Sequence, residues 1–276
     1  MAAPGVPGGD LARMLRIERR GPREFAAVLE PYFGEAQRFD LLGRAALAAC
    51  ATCDGLELSE LRASFLRPPP ADVAVRLAVE PLADTPDRAF RHVRVGGDEA
   101  IADVVASFAA DGRGPEFAPT LTDGLPKPEE LPSTLETARA EGWEEYAAGP
   151  IEFRRAGGAW PGPPEGDAAP HREWIRPRIA LPADPSLHAA ALVFASAFYA
   201  HHSFERRLGA AFAPERCASF DHALWIHRPA RWDDWWLLES GCEVARGGRA
   251  LGQRRIFARD GRLLATAAHS ANTPRR

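Results

Sequence analysis

Cys50 and Cys53 form a C-x-x-C pair, the spacing of a redox-active dithiol or of half a zinc site. Both lie in the Ala-rich helical run LLGRAALAACATC, and the other two thiols, Cys217 and Cys242, are too far apart to make a second such pair. Small buried thiols are therefore expected. His201 and His202 offer adjacent imidazoles but lack H-x-x-x-H spacing with a third ligand, so no metal is expected. Trp232, Trp235 and Trp236 could line an apolar pocket, although aromatics of this size more often fill a core or a subunit contact. Guanidinium groups suit phosphates and carboxylates, and all but one of the 34 basic residues are Arg, Lys127 being the exception. The 52 alanines are equally inflated, which makes GC-rich coding the main cause of both excesses.

These residues sit in a chain of 276 residues with a formal net charge of -4, 46% hydrophobic and 26% charged. That is the composition of a globular chain with a real core, long enough for one large domain or two ordinary ones. Mild acidity gives no long-range attraction for nucleic acid or an anionic membrane, so neither is an expected partner. The apolar runs are shorter than the roughly 20 residues of a membrane span. The opening stretch MAAPGVPGGDLARMLRIERR has no apolar signal core, and a reducing cytoplasm with free thiols is expected.

Two structured halves flank a seam rich in Pro and Gly, GRGPEFAPTLTDGLPKPEELPS followed by AWPGPPEGDAAP, where long helices and central strands are disfavoured. One piece inside it, TLETARAEGWEEYAAG, could form a helix. The first half reads as a strand in EFAAVLEPYFG, a helix from about Phe39 to Cys53, and then strands in ADVAVRLAVEPL, RAFRHVRV and EAIADVVASFAA. The second half repeats that order. Strand-like REWIRPRIAL leads to the nearly continuous apolar helix HAAALVFASAFYAHH, then to strands in CASFDHALWIHRP, WWLLESGCEVARG, GRALGQRRIFAR and RLLATAAHSA. Two such units in succession suggest an internal duplication of a curved antiparallel sheet wrapped on a helix.

At Ser219–His269 the sequence resembles the acyl-CoA thioesterase II (TesB-type) family of double-hotdog proteins. The stretch SFDHALWIHRP carries that family's pattern of a hydroxyl residue, Asp-His, an aromatic pair around Trp225 and His-Arg-Pro. A Trp-Leu-Leu strand, a Gly-rich return and a Phe-x-x-Asp-Gly hairpin follow, while PIEFRR, PHREWIR, SFLRP and Ala106-Ser107-Phe108 match upstream. The resemblance implies an α+β double hotdog: an N-terminal unit over 1–112, a linker over 113–169 and a C-terminal unit over 170–276. It also implies hydrolysis of acyl-CoA to free acid and CoA by an activated water, with acyl-CoA as partner and no cofactor or metal. A homodimer or higher homo-oligomer is left open.

The family holds its water with an Asp on the second central helix, a Ser or Thr before Asp-His, and a Gln on the last strand. A carboxylate there acts as base, and the hydroxyl and amide orient the water. Mapped onto this chain, the hydroxyl is Ser219, the Asp falls on Ala197 and the Gln on His269. Three residues are candidates for the missing base. His269 already stands at a family site position; His201 lies four residues after Ala197, one turn along the same helical face; Asp40 lies near the first helix, where the family has Gly-Gly-Gln. Simple alternation puts Asp221 on the face of Ser219 and turns His222 away, leaving both as structural residues. Arg67 and Arg228 are candidate contacts for CoA phosphates, and Trp225 and Ala197 are candidate lining of the substrate site. The alternatives are a non-hydrolytic acyl-CoA or acyl-carrier binding protein that has lost its carboxylate, and a hotdog hydratase, for which no Asp-x-x-x-x-His pattern is evident.

Overall fold

Alternating apolar residues make the strands here, and two apolar helices give them something to cover. The computed structural model describes residues 9–29, 36–69, 73–121, 124–142, 149–156, 170–209, 212–213 and 216–275. The first half runs α1 (Leu11–Met14), β1 (Glu18–Arg19), β2 (Glu24–Val28), α2 (Ala36–Cys50), β3 (Glu57–Phe65), β4 (Ala74–Asp84), β5 (Arg88–Gly96) and β6 (Ala100–Ala109). A 3-10 turn at Pro128–Glu130, α3 (Thr134–Glu141) and β7 (Ile151–Arg155) follow within the Pro- and Gly-rich stretch. The second half continues with β8 (His171–Pro177), α4 (Pro185–Ala197), α5 (His202–Leu208), β9 (Ser219–Ile226), β10 (Trp236–Arg246), β11 (Arg249–Ala258) and β12 (Leu263–Asn272). No helix among the described residues is long and apolar enough to cross a membrane.

The twelve strands among the described residues form one antiparallel sheet in the order β1-β2-β4-β5-β6-β3-β9-β12-β11-β10-β8-β7. The order is a palindrome about the β3–β9 junction, where Ala63 stands opposite His222 and Leu61 opposite Leu224. Each strand of the first half thus has a counterpart in the second, with α2 matching α4. The likeness extends to a β-bulge. In β3 the register slips between Leu58 and Glu60, leaving Ser59 as the extra residue, and in β9 it slips between Ser219 and Asp221, leaving Phe220 as the extra residue.

Helices α2 and α4 pack against one another beneath the sheet. Gly43 permits their approach: a Cβ there would stand 2.5 Å from Leu15 Cδ2 and 3.2 Å from the carbonyl oxygen of Ala190. Around this contact Phe39 meets Phe194 and Phe198 edge-on at ring separations of 6.3 and 6.0 Å. The sheet answers with Val75, Leu77 and Val79 of β4 and Leu224 of β9, all buried. Trp232 stacks on Trp236 at 4.5 Å and both are buried, which makes them core.

The structure departs from the sequence reading at the second helix. The apolar run through His202 is not one helix: α4 ends at Ala197, Tyr199 adopts a left-handed φ of 43°, and α5 starts at His202. Arg254 of β11 makes this break affordable. Its guanidinium, 2% exposed, donates to the carbonyls of Ala195 (3.1 Å), Ser196 (3.2 Å) and Phe198 (2.5 Å), supplying donors where helical ones run out.

Candidate active site

The inner face of β9 and β12 meets the end of α4, and the β9 bulge decides which side chains point there. His222 stands directly opposite His269, so the two imidazoles share a face, and both are buried at 3% and 7% exposure. Because Phe220 is the extra residue, Ser219 pairs with buried Ala271 and returns to that same inner face. Asp221 instead lies on the outer face, where it is exposed and accepts a 2.5 Å hydrogen bond from Ser270. Simple alternation had placed Asp221 with Ser219 and turned His222 outward; the bulge inverts both assignments.

His222 is held by Ser196 of α4, with 2.8 Å between its Nε2 and the Ser196 hydroxyl oxygen. The Ser196 hydroxyl donates its proton to the carbonyl of Val193 at 2.7 Å, so His222 Nε2 carries a hydrogen and donates to Ser196. Burial, followed by the charge of Arg254, pushes His222 down to about 3. His269 stacks on Phe204 of α5 at 4.8 Å, and its buried Nε2 has no hydrogen-bond partner among the described residues. Burial holds its pKa well below the ordinary value, reinforced by His222, Arg254 and His201. The ring is thus neutral at physiological pH and keeps one nitrogen lone pair as an acceptor. Gly252, across the strand pair from His269, makes room for the stack: a Cβ there would approach Phe204 to 3.0 Å and His269 to 3.1 Å.

Ala197 is the last residue of α4 and is buried. His201 does not lie one helical turn beyond it on the same face, because the helix has ended and the chain has turned through Tyr199. It still joins the cluster, close enough for its charge and that of Arg254 to bear on the neighbouring rings, and burial pushes it down to about 3. Ala197 and Ser196 at the end of α4, with His222, His269, His201 and Arg254, thus form one group, and Ser219 lies on the same face of β9 as His222, beside Ala271. Of these, Arg254 and Ser196 were not singled out from sequence, and His222 was read there as a structural residue turned away from the site. The bulge hid His222, and nothing in one strand's composition marks Arg254 as a helix-ending donor.

The other expected residues lie apart in their contacts. Asp40 is buried in an ion pair with Arg44 at 2.7 Å, and Arg44 also donates to the carbonyls of Met14 and Val28, so this carboxylate serves the packing of α2. Trp225 is on the outer face of β9, with the Arg62 guanidinium 5.7 Å over its ring. Arg67 donates to the Ala100 carbonyl at 2.7 Å and pairs with Glu99 at 3.1 Å; Arg228 faces Glu116 at 3.3 Å. Both retain exposed guanidinium surface.

A cavity lies at the other end of the helix pair, where the palindrome puts the first-half counterpart of Ser219. Leu58 is that bulge counterpart, and it lines the cavity of about 470 Å³ with Cys50, His188, Leu192, Ile226 and Arg231. The strand residue matching His269 is Ala106, which pairs with Leu61 as His269 pairs with His222. At the matching strand positions the first half therefore has Leu58, Leu61 and Ala106 where the second has Ser219, His222 and His269. Burial pushes Cys50 up to about 12, and the thiols of Cys50, Cys53, Cys217 and Cys242 are all free, so the C-x-x-C pair has no activated thiolate. Two groups of imidazole and carboxylate donors lie close enough to share a metal ion: His171, Glu173 and His202, and His201, His202 and Glu205.

Comparison with known proteins agrees with this architecture. The crystal structure of acyl-CoA thioesterase II TesB2 from Mycobacterium marinum superimposes with a TM-score of 0.76 at 26% identity, covering 95% of this chain and 97% of that one. The tesB protein of Mycobacterium avium subs paratuberculosis gives 0.77 at 25% identity, with the same coverage. A hot dog fold protein from Alicyclobacillus acidocaldarius, at 14% identity and a TM-score of 0.73, shares the fold. Among curated proteins, acyl-CoA thioesterase 2 of Haemophilus influenzae is 33% identical over 97 residues, which is 34% of this chain and 33% of that protein. Acyl-coenzyme A thioesterase 8 of Mus musculus is 33% identical over 103 residues, 34% of this chain and 30% of that one. The chain thus spans about a third of the length of the curated relatives it matches. The family model described as acyl-CoA thioesterase C-terminal domain matches residues 124–272, more than half of the chain, and the chain belongs to that family with a double-hotdog fold.

Proposed function

We propose that this protein hydrolyses acyl-CoA thioesters to a free acid and CoA, using a water held between Ser219 and His269. What supports the reading is a hydroxyl turned to the inner face of β9 by its bulge and, on the same face of β12 two residues from its partner Ala271, a neutral imidazole whose Nε2 has no hydrogen-bond partner among the described residues. In this mechanism the water donates one hydrogen bond to His269 Nε2 while Ser219 fixes its orientation. The water oxygen attacks the thioester carbonyl carbon as its proton passes to the imidazole. Collapse of the tetrahedral intermediate breaks the C–S bond, and the thiolate of CoA takes the proton from the imidazolium.

Ala197 leaves His269 as the proton acceptor in place of a helix carboxylate. The low pKa of His269 makes it a weak base, so turnover slower than that of a carboxylate-bearing relative is expected. Arg67 and Arg228 are the proposed contacts for CoA phosphates, each able to exchange a surface acid for a phosphate. Four cysteines without a disulfide support a reducing compartment such as the cytoplasm. Thiol release from short, medium and long acyl-CoAs tests the reading when run beside calorimetric binding of the same ligands. Turnover of at least one chain length supports it. Saturable binding of all three without thiol release would instead mark a non-hydrolytic acyl-CoA binder.

A further inference from the structure

We propose that His171, Glu173 and His202 form a binding site for a divalent metal ion of the zinc class, separate from the water site at Ser219 and His269. His171 and Glu173 are two residues apart on β8, so both side chains leave the same face of the strand. His202 opens α5 and comes to meet them across 28 residues of chain or more. All three are buried, at 2%, 1% and 7% exposure. Their donor atoms lie within 4.8 Å of one another.

The spacing suits a small tetrahedral ion. Metal bonds of about 2.0–2.1 Å at tetrahedral angles put neighbouring ligand atoms roughly 3.3 Å apart. Here His171 Nε2 is 3.0 Å and His202 Nδ1 is 3.5 Å from the same oxygen, Glu173 Oε1. The two rings meet edge-on, at 5.6 Å and 84°, so their lone pairs can converge without the rings stacking. Two imidazole nitrogens and one carboxylate oxygen are the donors of a zinc-class ion; magnesium and calcium sites call for more oxygens. A carboxylate at 1% exposure also needs compensating positive charge, which a divalent ion would supply. Glu173 lies near Arg155 and Arg254, but Arg155 also faces Glu141 at 3.5 Å, and Arg254 directs its donors to Ser240 and the end of α4.

The H-x-x-x-H test failed on the sequence because the ligands come from a strand and a helix rather than from one helix. A bound ion would pin α5 to β8. Since α5 carries Phe204, it would hold the ring that stacks on His269. The proposal is independent of the thioesterase reading, because binding rather than turnover tests it.

Tag-free full-length chain, stripped with chelator and dialysed, is titrated with Zn²⁺ by calorimetry and with Co²⁺ by visible absorption. Expected are one equivalent bound, a Co²⁺ spectrum of nitrogen and oxygen ligands, and a higher thermal midpoint with Zn²⁺. His171→Ala and the isosteric Glu173→Gln should each weaken binding at least tenfold, with circular dichroism confirming the fold; should His171→Ala not fold, Glu173→Gln alone decides. Absence of saturable binding would overturn the proposal. So would unchanged affinity in Glu173→Gln, a thiolate-to-Co²⁺ charge-transfer band, which would point to Cys50 and Cys53, or loss of binding in His201→Ala with Glu173→Gln unaffected, which would move the ion to the group with Glu205.

Discussion

Replacing Arg254 with Met keeps most of the aliphatic stem and removes every donor. The guanidinium now gives its Nε–H to Ser240 Oγ at 2.8 Å and its Nη1 hydrogens to the carbonyls of Ala195, Ser196 and Phe198 at 3.1, 3.2 and 2.5 Å. With the site 2% exposed, water cannot readily replace those donors. Each buried acceptor left unpaired costs about 1–3 kcal/mol, so three carbonyls give a gross loss of roughly 3–9 kcal/mol. The Ser240 hydroxyl can turn to another partner, and removal of a buried cation recovers several kcal/mol of desolvation. A net loss of about 1–5 kcal/mol remains, since what is left behind is neutral carbonyl oxygens rather than a buried charge. Urea denaturation at pH 7.5 measures it, and Arg254→Lys should restore part of the loss. The same variant should raise the pKa of His222 and His269, read from imidazole proton chemical shifts, because Arg254 disfavours their protonation. A loss below about 1 kcal/mol would refute the assignment of Arg254 as the group that ends α4, since even one orphaned carbonyl should cost that much.

Acid should destabilise the fold well before its carboxylates titrate. Burial pushes His222 to about 3 and His202 to about 4, so the unfolded chain takes up protons below about 6.5 that the folded chain refuses. Their contribution is complete above pH 6.5 and falls by about 1.4 kcal/mol per residue per pH unit until the folded pKa is reached. His222→Gln should flatten the stability profile between pH 6 and 4 by about one proton, and an unchanged slope would rule out a neutral buried ring. Gly43→Ala pushes a methyl to 2.5 Å from Leu15 Cδ2, just after α1, and to 3.2 Å from the Ala190 carbonyl of α4, and should cost about 1–3 kcal/mol; a thermal midpoint at or above wild type would contradict this close packing of α2. Ala197→Asp returns a carboxylate to the end of α4 and should raise kcat for acyl-CoA hydrolysis. A fall in kcat with the fold intact would show that position 197 does not face the water.

The strands with clean alternation were legible because one face of each is buried: Val75, Leu77 and Val79 in β4 announce themselves by period two. β3 was missed because its bulge at Ser59 breaks that period between Leu58 and Leu61. β7 was missed because its five residues sit in a stretch whose Pro and Gly content argues against strands, although IEFRR pairs fully with β8. The apolar run 188–202 reads as one helix from composition alone; its break depends on Arg254, more than fifty residues downstream. For the site, family resemblance pointed to Ser219, Ala197 and His269; in the structure Ser219 and His269 lie on the inner face of neighbouring strands and Ala197 ends α4. The neighbours Ser196, His222 and Arg254 were illegible because their roles arise from a bulge and a cross-element contact, and neither leaves a local pattern.

The central claim is that Ser219 and His269 activate water in the absence of a helix carboxylate. Its most direct test is the kcat for thiol release by wild type, Ser219→Ala and His269→Ala, measured side by side on the best acyl-CoA with folding confirmed by circular dichroism. General-base assistance contributes about 10²–10⁴ in rate. The expected result is a fall of at least 100-fold for His269→Ala and a smaller but clear fall for Ser219→Ala. Both variants turning over within twofold of wild type would contradict it and place the chemistry elsewhere in the molecule.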